Sequence, residues 1–466
     1  MSGQPAMYVE ELLDHPHARP FQIRLLLLLA LFMFFEGYDM QVLSFAAPVI
    51  IKEWHSSKAA FGGVFGGAMA GFMFGAMLVG NLGDYVGRAR MIIGGSVVFG
   101  VFTVLSAFAV DLTDLLCWRV LAGIGLGCAV PNAIVLLTEY WPARARATSV
   151  TLIYVGYTGG SAIGGLIAAY LIPTFGWQSV FILGGVAPLI TAAILAATLP
   201  ESVKFLIARS KRPQAVLNIL RRVRPDLTFD GVPDFVLGEE PKKGPPVGKL
   251  FMEGRAVATC MLWIAGICST LTLHFLTSWL PVVLESDQLP LSHAIIATSV
   301  LQLSGAVGGV LAGRILDRFG VVALAGFVGI AIPSLLLLAN VTGAEILTMT
   351  FVAGCGLAII GGFTVVLALG GLIYPVEIRS SGSGWNYGVA RLGAIVGPTL
   401  GGLLLSYGLN GKALFQLVTI PIGIQVLAFV MLARQPATLA WRSARLSAAI
   451  EAKPPEDAKP LAQSVA

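Results

Sequence analysis

Twelve apolar segments, most of them 20 residues or longer, run through this chain of 466 residues. A helix of about 20 apolar residues crosses a bilayer core of roughly 30 Å, and sustained runs of that length mark membrane spans. The composition agrees, with 56% hydrophobic residues and 12% charged, where soluble domains carry about 25% charged residues. So few polar side chains cannot cover this much apolar surface in water. A secreted, cytosolic or nucleic-acid-binding protein is excluded, despite the formal net charge of +5. The expected fold class is all-α, a polytopic membrane protein.

The segments fall at 25–50, 60–82, 90–110, 114–138, 147–173 and 177–199, then at 256–284, 292–316, 321–340, 345–373, 382–407 and 411–433. This divides the chain into an N-terminal tail (1–24), a first six-helix bundle (25–199), a polar central loop (200–255), a second bundle (256–433) and a tail (434–466). The first segment does not read as a cleaved signal peptide, because it is too long and holds acidic residues. The tail is rich in Ala, Pro and Lys and is expected to be disordered. The five cysteines all fall inside apolar segments and have neither disulfide-scaffold nor zinc-ligand spacing.

Positive charge orients the chain. With both termini inside, 25 of the 30 lysines and arginines lie on inner segments, and only Lys52, Lys58 and Lys412 lie outside. That bias predicts cytoplasmic termini and an inner-membrane location. The two remaining cations, Arg119 and Arg391, sit within the spans.

The chain also repeats itself. GNLGDYVG at 80–87 returns as GRILDRFG at 313–320, an offset of 233 residues. The same offset carries Pro48 to Pro281, Pro142 to Pro375, Arg146 to Arg379, Gly160 to Gly393 and Gly164 to Gly397. Two pseudo-symmetric six-helix bundles are the architecture of secondary transporters, which hold substrate between the repeats near mid-membrane.

Ionisable residues at that depth cost about 2.5–3.5 kcal/mol each and need a partner or water. Glu36 and Asp39 are three residues apart and share a helix face. Two close carboxyls on a face lining an aqueous cavity suit reversible protonation. Arg119 lies at a similar depth to Asp39, so it is expected to compete with a proton for that carboxylate. Arg391 follows Trp385, Asn386 and Tyr387. A guanidinium binds a carboxylate through two parallel hydrogen bonds, and neighbouring aromatic rings stack on a benzene ring. His274 suits donating a hydrogen bond to a phenolic hydroxyl, or a proton relay. Tyr38, Asn132 and Gln302 are further polar candidates for a substrate cavity.

The repeated loops offer Gly80, Asp84, Gly87 and Arg88 in one copy, and Gly313, Asp317, Arg318 and Gly320 in the other. Charges at such helix ends make ion pairs that exist only while one side is shut, which predicts gating. Glu139, Arg146, Glu377 and Arg379 occupy cytoplasmic helix ends that complete the network. Topology alone accounts for the arginines but not for the paired aspartates. The Gly-rich runs are not phosphate loops, since no Lys-Ser/Thr follows them.

GNLGDYVGRAR resembles the signature of the major facilitator superfamily, with Tyr85 at its first basic position and Ala89 at a later one. Arg119 with Gly123, Gly125 and Gly127 is similar to that superfamily's fourth-helix motif. EGYD at Glu36–Asp39, PES at Pro200–Ser202, SWLP at Ser278–Pro281 and GWNYGVARLGAIVGP at Gly384–Pro398 resemble the aromatic acid:proton symporters, with Glu36 where Asp is usual. The resemblance implies a proton-coupled importer of a small aromatic carboxylate such as a hydroxybenzoate, acting by alternating access. It would work as a monomer in the lipid bilayer, with the proton as coupling ion and neither cofactor nor nucleic acid. A carrier of aliphatic or dicarboxylic acids is the main alternative. A drug exporter fits less well, because intramembrane arginines suit anions. An enzyme or sensor is disfavoured, because the chain shows neither a His/Cys metal cluster nor a Ser/His pair, and no soluble domain is attached.

Overall fold

The computed structural model describes residues 7–8, 12–142, 145–210, 213–226, 235–236, 247–341, 344–435 and 438. Arg144, part of the central loop and the tail beyond 438 lie outside them. Twelve helices are long and apolar enough to span a membrane. They are α1 (Arg19–Glu53), α2 (Lys58–Val86), α3 (Arg88–Ser106), α4 (Leu112–Tyr140), α5 (Arg146–Phe175) and α6 (Gln178–Thr198), followed by α7 (Ala256–Ser286), α8 (Leu291–Phe319), α9 (Val321–Leu338), α10 (Glu345–Ile373), α11 (Val376–Ser406) and α12 (Gly411–Ala433).

Local chemistry sets the helix ends. Ser57, Asp111 and Asn410 cap α2, α4 and α12, each accepting a backbone N–H three residues on. Several helices overrun the apolar segments. α1 alone has 35 residues, about 52 Å at 1.5 Å per residue, so its ends stand clear of the hydrocarbon. Prolines such as Pro48, Pro131 and Pro281 lie inside helices, which packed neighbouring helices make tolerable.

The 233-residue repeat is visible in the packing. In the first half α1 lies against α5, where a Cβ on Gly160 would fall 1.7 Å from the Phe34 carbonyl oxygen. In the second half α7 lies against α11, where a Cβ on Gly393 would fall 2.2 Å from the Ile267 carbonyl oxygen. Phe34 and Ile267 are themselves 233 apart. Gly37 against the Tyr157 carbonyl has its counterpart in Thr270, whose hydroxyl donates to the Ala390 carbonyl. Small residues let the backbones close to contact in both halves.

The two halves meet on the face away from the termini. Ser44 Oγ donates to the Thr277 carbonyl at 2.7 Å, joining repeat-equivalent positions. Gly62 packs against the backbone of Pro398–Gly402, Gly165 against Ser299, and the rings of Phe65 and Trp279 lie 5.4 Å apart. At the terminal end the central loop is partly helical, a departure from the polar loop expected. Its helix Pro213–Val223 buries Val216, Leu217, Leu220 and Val223 in the first half's core, beside Leu12 and Leu13. Met7–Tyr8 pairs in parallel with Phe235–Val236.

The α1–α5 contact makes a direct prediction. Gly160→Ala should lower the melting temperature of the detergent-solubilised protein, by about 1–3 kcal/mol of stability for overpacking against backbone. Gly63→Ala, whose methyl meets nothing within 4 Å, should leave the melting curve in place. Equal curves for the two variants would remove the close backbone approach from the stability of the bundle.

Candidate functional site

Asp39 and Arg119 form a buried, bidentate pair. Arg119 Nη1 donates to Asp39 Oδ1 at 2.8 Å and Nη2 to Oδ2 at 2.5 Å. Thr103 on α3 completes a ring, donating to Asp39 Oδ1 at 3.1 Å and accepting from Arg119 Nη1 at 3.3 Å. The Phe181 ring of α6 lies 5.9 Å from the guanidinium carbon. Asp39 is 0% exposed and Arg119 4%. The expectation that Asp39 lines an aqueous cavity is therefore corrected. Its charge is met inside the first half, by a guanidinium and a hydroxyl rather than by water.

Glu36 has a different environment. It is 4% exposed, and its Oε2 has no hydrogen-bond partner among the described residues. Two charges reach it, Asp39 one turn along α1 and Arg391 from the other half. Arg391 is half-buried on α11, bonded to the Tyr387 hydroxyl. Its guanidinium carbon lies 4.5 Å from the centre of the Phe72 ring on α2 and 4.7 Å from that of Tyr387. Phe72 is fourteen residues from the start of α2 and Arg391 fifteen from the end of α11. Both are thus about 21–23 Å from the face where the halves close. Among the described residues no carboxylate lies within 4.0 Å of Arg391. The titratable groups within its reach are the Tyr387 and Tyr154 phenols and Glu36.

Tyr154 and Tyr157, three apart on α5, bring their rings within 6.2 Å of each other and lie in the same electrostatic neighbourhood as Glu36 and Arg391. Both are half-buried. His274, also half-buried, places Nδ1 2.9 Å from the Thr270 carbonyl and feels the charge of Arg391. Phe72 and Tyr387 thus touch Arg391, and Glu36, Tyr154, Tyr157 and His274 lie within its electrostatic reach, at mid-height where the halves meet. The spacing of the tyrosines could have announced them. Phe72 and Thr103 carried no signal beyond an ordinary apolar or hydroxyl side chain in a span.

Other candidates sit elsewhere. Trp385 precedes Arg391 by six residues, about 120° around the helix, and stacks on Trp263 at 6.2 Å. Asn386 is fully buried and donates to the Val366 carbonyl at 3.0 Å, tying α11 to α10. Only Tyr387, one turn before Arg391, shares its face. Tyr38 wedges its ring between Gly164 and Gly184 and donates to the Val180 carbonyl at 3.0 Å. Asn132 donates to the Gly80 and Cys128 carbonyls at 2.9 and 2.8 Å, at the foot of the first repeated loop rather than beside Arg391. Gln302 is buried on α8.

The first repeated loop is clasped. Arg88 pairs with Asp84 at 3.2 Å and with Glu139 at 3.1 Å. Glu139 accepts from Ser202 Oγ at 2.6 Å, and Glu201 accepts from the Ala89 N–H at 2.9 Å. Gly87 has φ +115°, and a Cβ there would lie 2.4 Å from Glu201 Oε2; only glycine fits such a turn without strain. The second copy differs. Asp317 and Arg318 are exposed, and Arg318 lies over the Phe319 ring at 5.4 Å. A Cβ on Gly313 would meet nothing within 4 Å, while Gly320 turns with φ +81°. Val321 and Leu372 stand where the repeat would require partners equivalent to Arg88 and Glu139. Arg379 donates to the Tyr374 carbonyl at 3.3 Å, and Arg146 leaves a buried Nε without a partner among the described residues. The Glu377 side chain lies outside them.

Metal-ligand types gather at His15, His17 and Asp226, within 4.8 Å of one another. There Arg224 engages both Asp226 oxygens, at 2.8 and 2.7 Å, and holds that carboxyl down to about 2. The oxygens a metal would need are taken by a cation. A cavity of about 360 Å³ at the closed face is lined by residues including Lys52, Lys58 and Glu285 and holds no aromatic ring. It is separate from the space around Arg391.

Residues 29–369 match the family model for the Major Facilitator Superfamily. The gallate transporter of Pseudomonas putida is 34% identical over 427 residues, covering 91% of this chain and 94% of the relative. The 4-hydroxybenzoate transporter PcaK of Acinetobacter baylyi is 33% identical over 421 residues, covering 89% and 92%. Among solved structures, a D-xylose–proton symporter matches with TM-score 0.67 at 18% identity, over 90% of this chain and 98% of that one. A bacterial homologue of the human lysosomal transporter Spinster, inward-facing and occupied, matches with TM-score 0.67 at 17% identity, over 94% and 99%. The fold is the same in these structures.

Removing one member of a buried ion pair strands its partner. Asp39→Ala alone should therefore cost about 3–5 kcal/mol of stability. Replacing both partners, as Asp39→Ala with Arg119→Leu, should recover much of the lost melting temperature. A double variant that melts no higher than the single one would show that the pair contributes nothing as a pair.

Proposed function

We propose that this chain, which belongs to the major facilitator superfamily, is a proton-coupled importer of a small aromatic carboxylate in the cytoplasmic membrane, with both termini inside. The observation that carries this reading is Arg391. An arginine at mid-membrane, on aromatic faces and with no carboxylate within 4.0 Å among the described residues, is a fixed cation awaiting an anion. The substrate carboxylate takes its two parallel donors, and the benzene ring lies against Phe72, Tyr387 and the α5 tyrosines. The relatives named for gallate and 4-hydroxybenzoate transport support the same class.

Glu36 links the proton to the substrate. While ionised it is the anion nearest in reach of Arg391 from the other half. Once protonated it leaves that cation to the substrate, so proton and anion load together. Asp39, held by Arg119 and Thr103, is the second carboxyl of the pathway. Its release of Arg119 on protonation is a change internal to the first half. Gating falls to the two repeated loops, with the Asp84–Arg88–Glu139 clasp breaking and reforming as the halves rock.

Two variants test this reading. Glu36→Gln should still exchange labelled substrate in counterflow, because exchange needs no proton release. It should fail to accumulate substrate under an imposed proton gradient. Accumulation that survives would remove Glu36 from coupling. Arg391→Lys should weaken substrate affinity at least tenfold, since a point-like ammonium cannot reproduce the guanidinium fork. An unchanged dissociation constant would make Arg391 a structural residue.

A further inference from the structure

We infer that His274 is a specificity-determining residue that reads a ring hydroxyl on the substrate, accepting a hydrogen bond from it through Nε2. This rests on the aromatic-carboxylate reading of the Arg391 site and goes beyond it, by assigning which chemical feature the site recognises besides the carboxylate.

The argument starts from the histidine's own hydrogen bond. Nδ1 lies 2.9 Å from the Thr270 carbonyl. A carbonyl only accepts, so Nδ1 carries the proton. In a neutral imidazole the other nitrogen is then an acceptor. The Arg391 guanidinium is already positive, and a like charge within its reach disfavours the imidazolium and favours the neutral ring.

The position follows from the helix pair. Thr270, one turn before His274 on α7, donates to the carbonyl of Ala390, the residue preceding Arg391 on α11. The close approach continues where a Cβ on Gly393 would meet the Ile267 carbonyl and one on Gly397 the Leu271 carbonyl, at 2.2 and 2.5 Å. His274 lies one turn past Thr270, on the side of the closed face, and Arg391 lies one residue past Ala390, on two helices locked together; the charge of Arg391 reaches the imidazole.

The site contains a second acceptor without a partner, Glu36 Oε2. Arg391 uses the substrate's carboxylate, an acceptor-only group. An unsubstituted benzoate brings no donor at all, and it would bury the imidazole nitrogen without a hydrogen bond. A hydroxybenzoate brings the missing donor. A buried acceptor left unmatched penalises the wrong ligand more than a matched one rewards the right ligand. The selectivity therefore falls against benzoate.

The test is equilibrium binding of benzoate, 3-hydroxybenzoate and 4-hydroxybenzoate to the purified full chain in detergent. The wild type should bind one of the hydroxybenzoates at least tenfold more tightly than benzoate. In His274→Phe, which keeps a planar ring and deletes the acceptor, that ratio should collapse toward one. In His274→Gln, whose amide oxygen can still accept, part of the ratio should return. If His274→Phe weakens benzoate and hydroxybenzoate by the same factor, the histidine is only packing and the inference is overturned. A wild type with no preference for a hydroxyl overturns it as well. Failure of the parent reading looks different: no benzoate or hydroxybenzoate would bind the wild type, or Arg391→Lys would bind all three as before.

Discussion

Backbone-to-backbone contact between α1 and α5, and between α7 and α11, fixes the geometry on which every proposed step depends. At Gly37, Gly160, Gly393 and Gly397 a methyl group would fall 1.7–2.5 Å from a carbonyl oxygen of the facing helix. In hydrocarbon there is no hydrophobic drive between helices, so dispersion at close range has to hold them. That closeness sets Glu36 near the α5 tyrosines and fixes the register of α7 against α11 along Ile267–Leu271 and Gly393–Gly397. The repeat makes the same clamp twice, and Ser44 and Thr277, equivalent in the repeat, touch where the halves join.

On this symmetric frame the charges are placed asymmetrically. Glu36, Asp39 and Arg119 belong to the first half, and their counterparts 233 residues on are Ser269, Thr272 and Val352. Arg391 belongs to the second half, and its counterpart is Thr158. One half therefore holds the buried carboxyls, which in the proposed mechanism take up the proton, and the other presents the fixed cation. A proton in the first half can bear on an anion in the second only across the space between them. Glu36 and Arg391 lie within electrostatic reach of each other there. The cytoplasmic loops show the same division, with a clasped first copy and a second copy that lacks equivalents of Arg88 and Glu139.

Much of this was legible in the sequence, and for identifiable reasons. Span length, positive charge and the 233-residue offset are one-dimensional signals, so the twelve helices and the two halves could be read directly. Arg119 and Asp39 stood out because a charge at membrane depth is expensive enough to demand a reason. The depth of each along its helix already made their pairing geometrically available. Helix azimuth was not legible. Trp385, Asn386 and Tyr387 are consecutive in the chain, yet they point toward Trp263, toward Val366 and toward Arg391. Asn132 looked like a cavity residue because it is polar in a span, but a carboxamide can equally satisfy the carbonyls of a distorted helix end. Thr103 gave no warning, since a threonine inside a helix commonly bonds its own backbone.

The two ionic features at the site differ in one respect that bears on mechanism. In the Asp39–Arg119–Thr103 ring both Asp39 oxygens are engaged and both charges are buried, though Arg119 Nε has no partner among the described residues. Glu36 and Arg391 are incomplete, because the carboxyl keeps an oxygen without a partner and the guanidinium rests on a phenol and two ring faces. A completed buried pair resists change, since opening it strands two charges at once. An incomplete one leaves its binding capacity to whatever enters. A carrier needs both kinds of site, the first to stay fixed until a proton disturbs it and the second to receive cargo without first breaking a strong bond. With the halves already closed on the face away from the termini, that incomplete pair lies at the inner limit of the seal. An anion bound there could leave toward the terminal side without crossing the contacts of Ser44, Gly62 and Gly165. Release on that side is the direction an importer requires, once both termini are cytoplasmic.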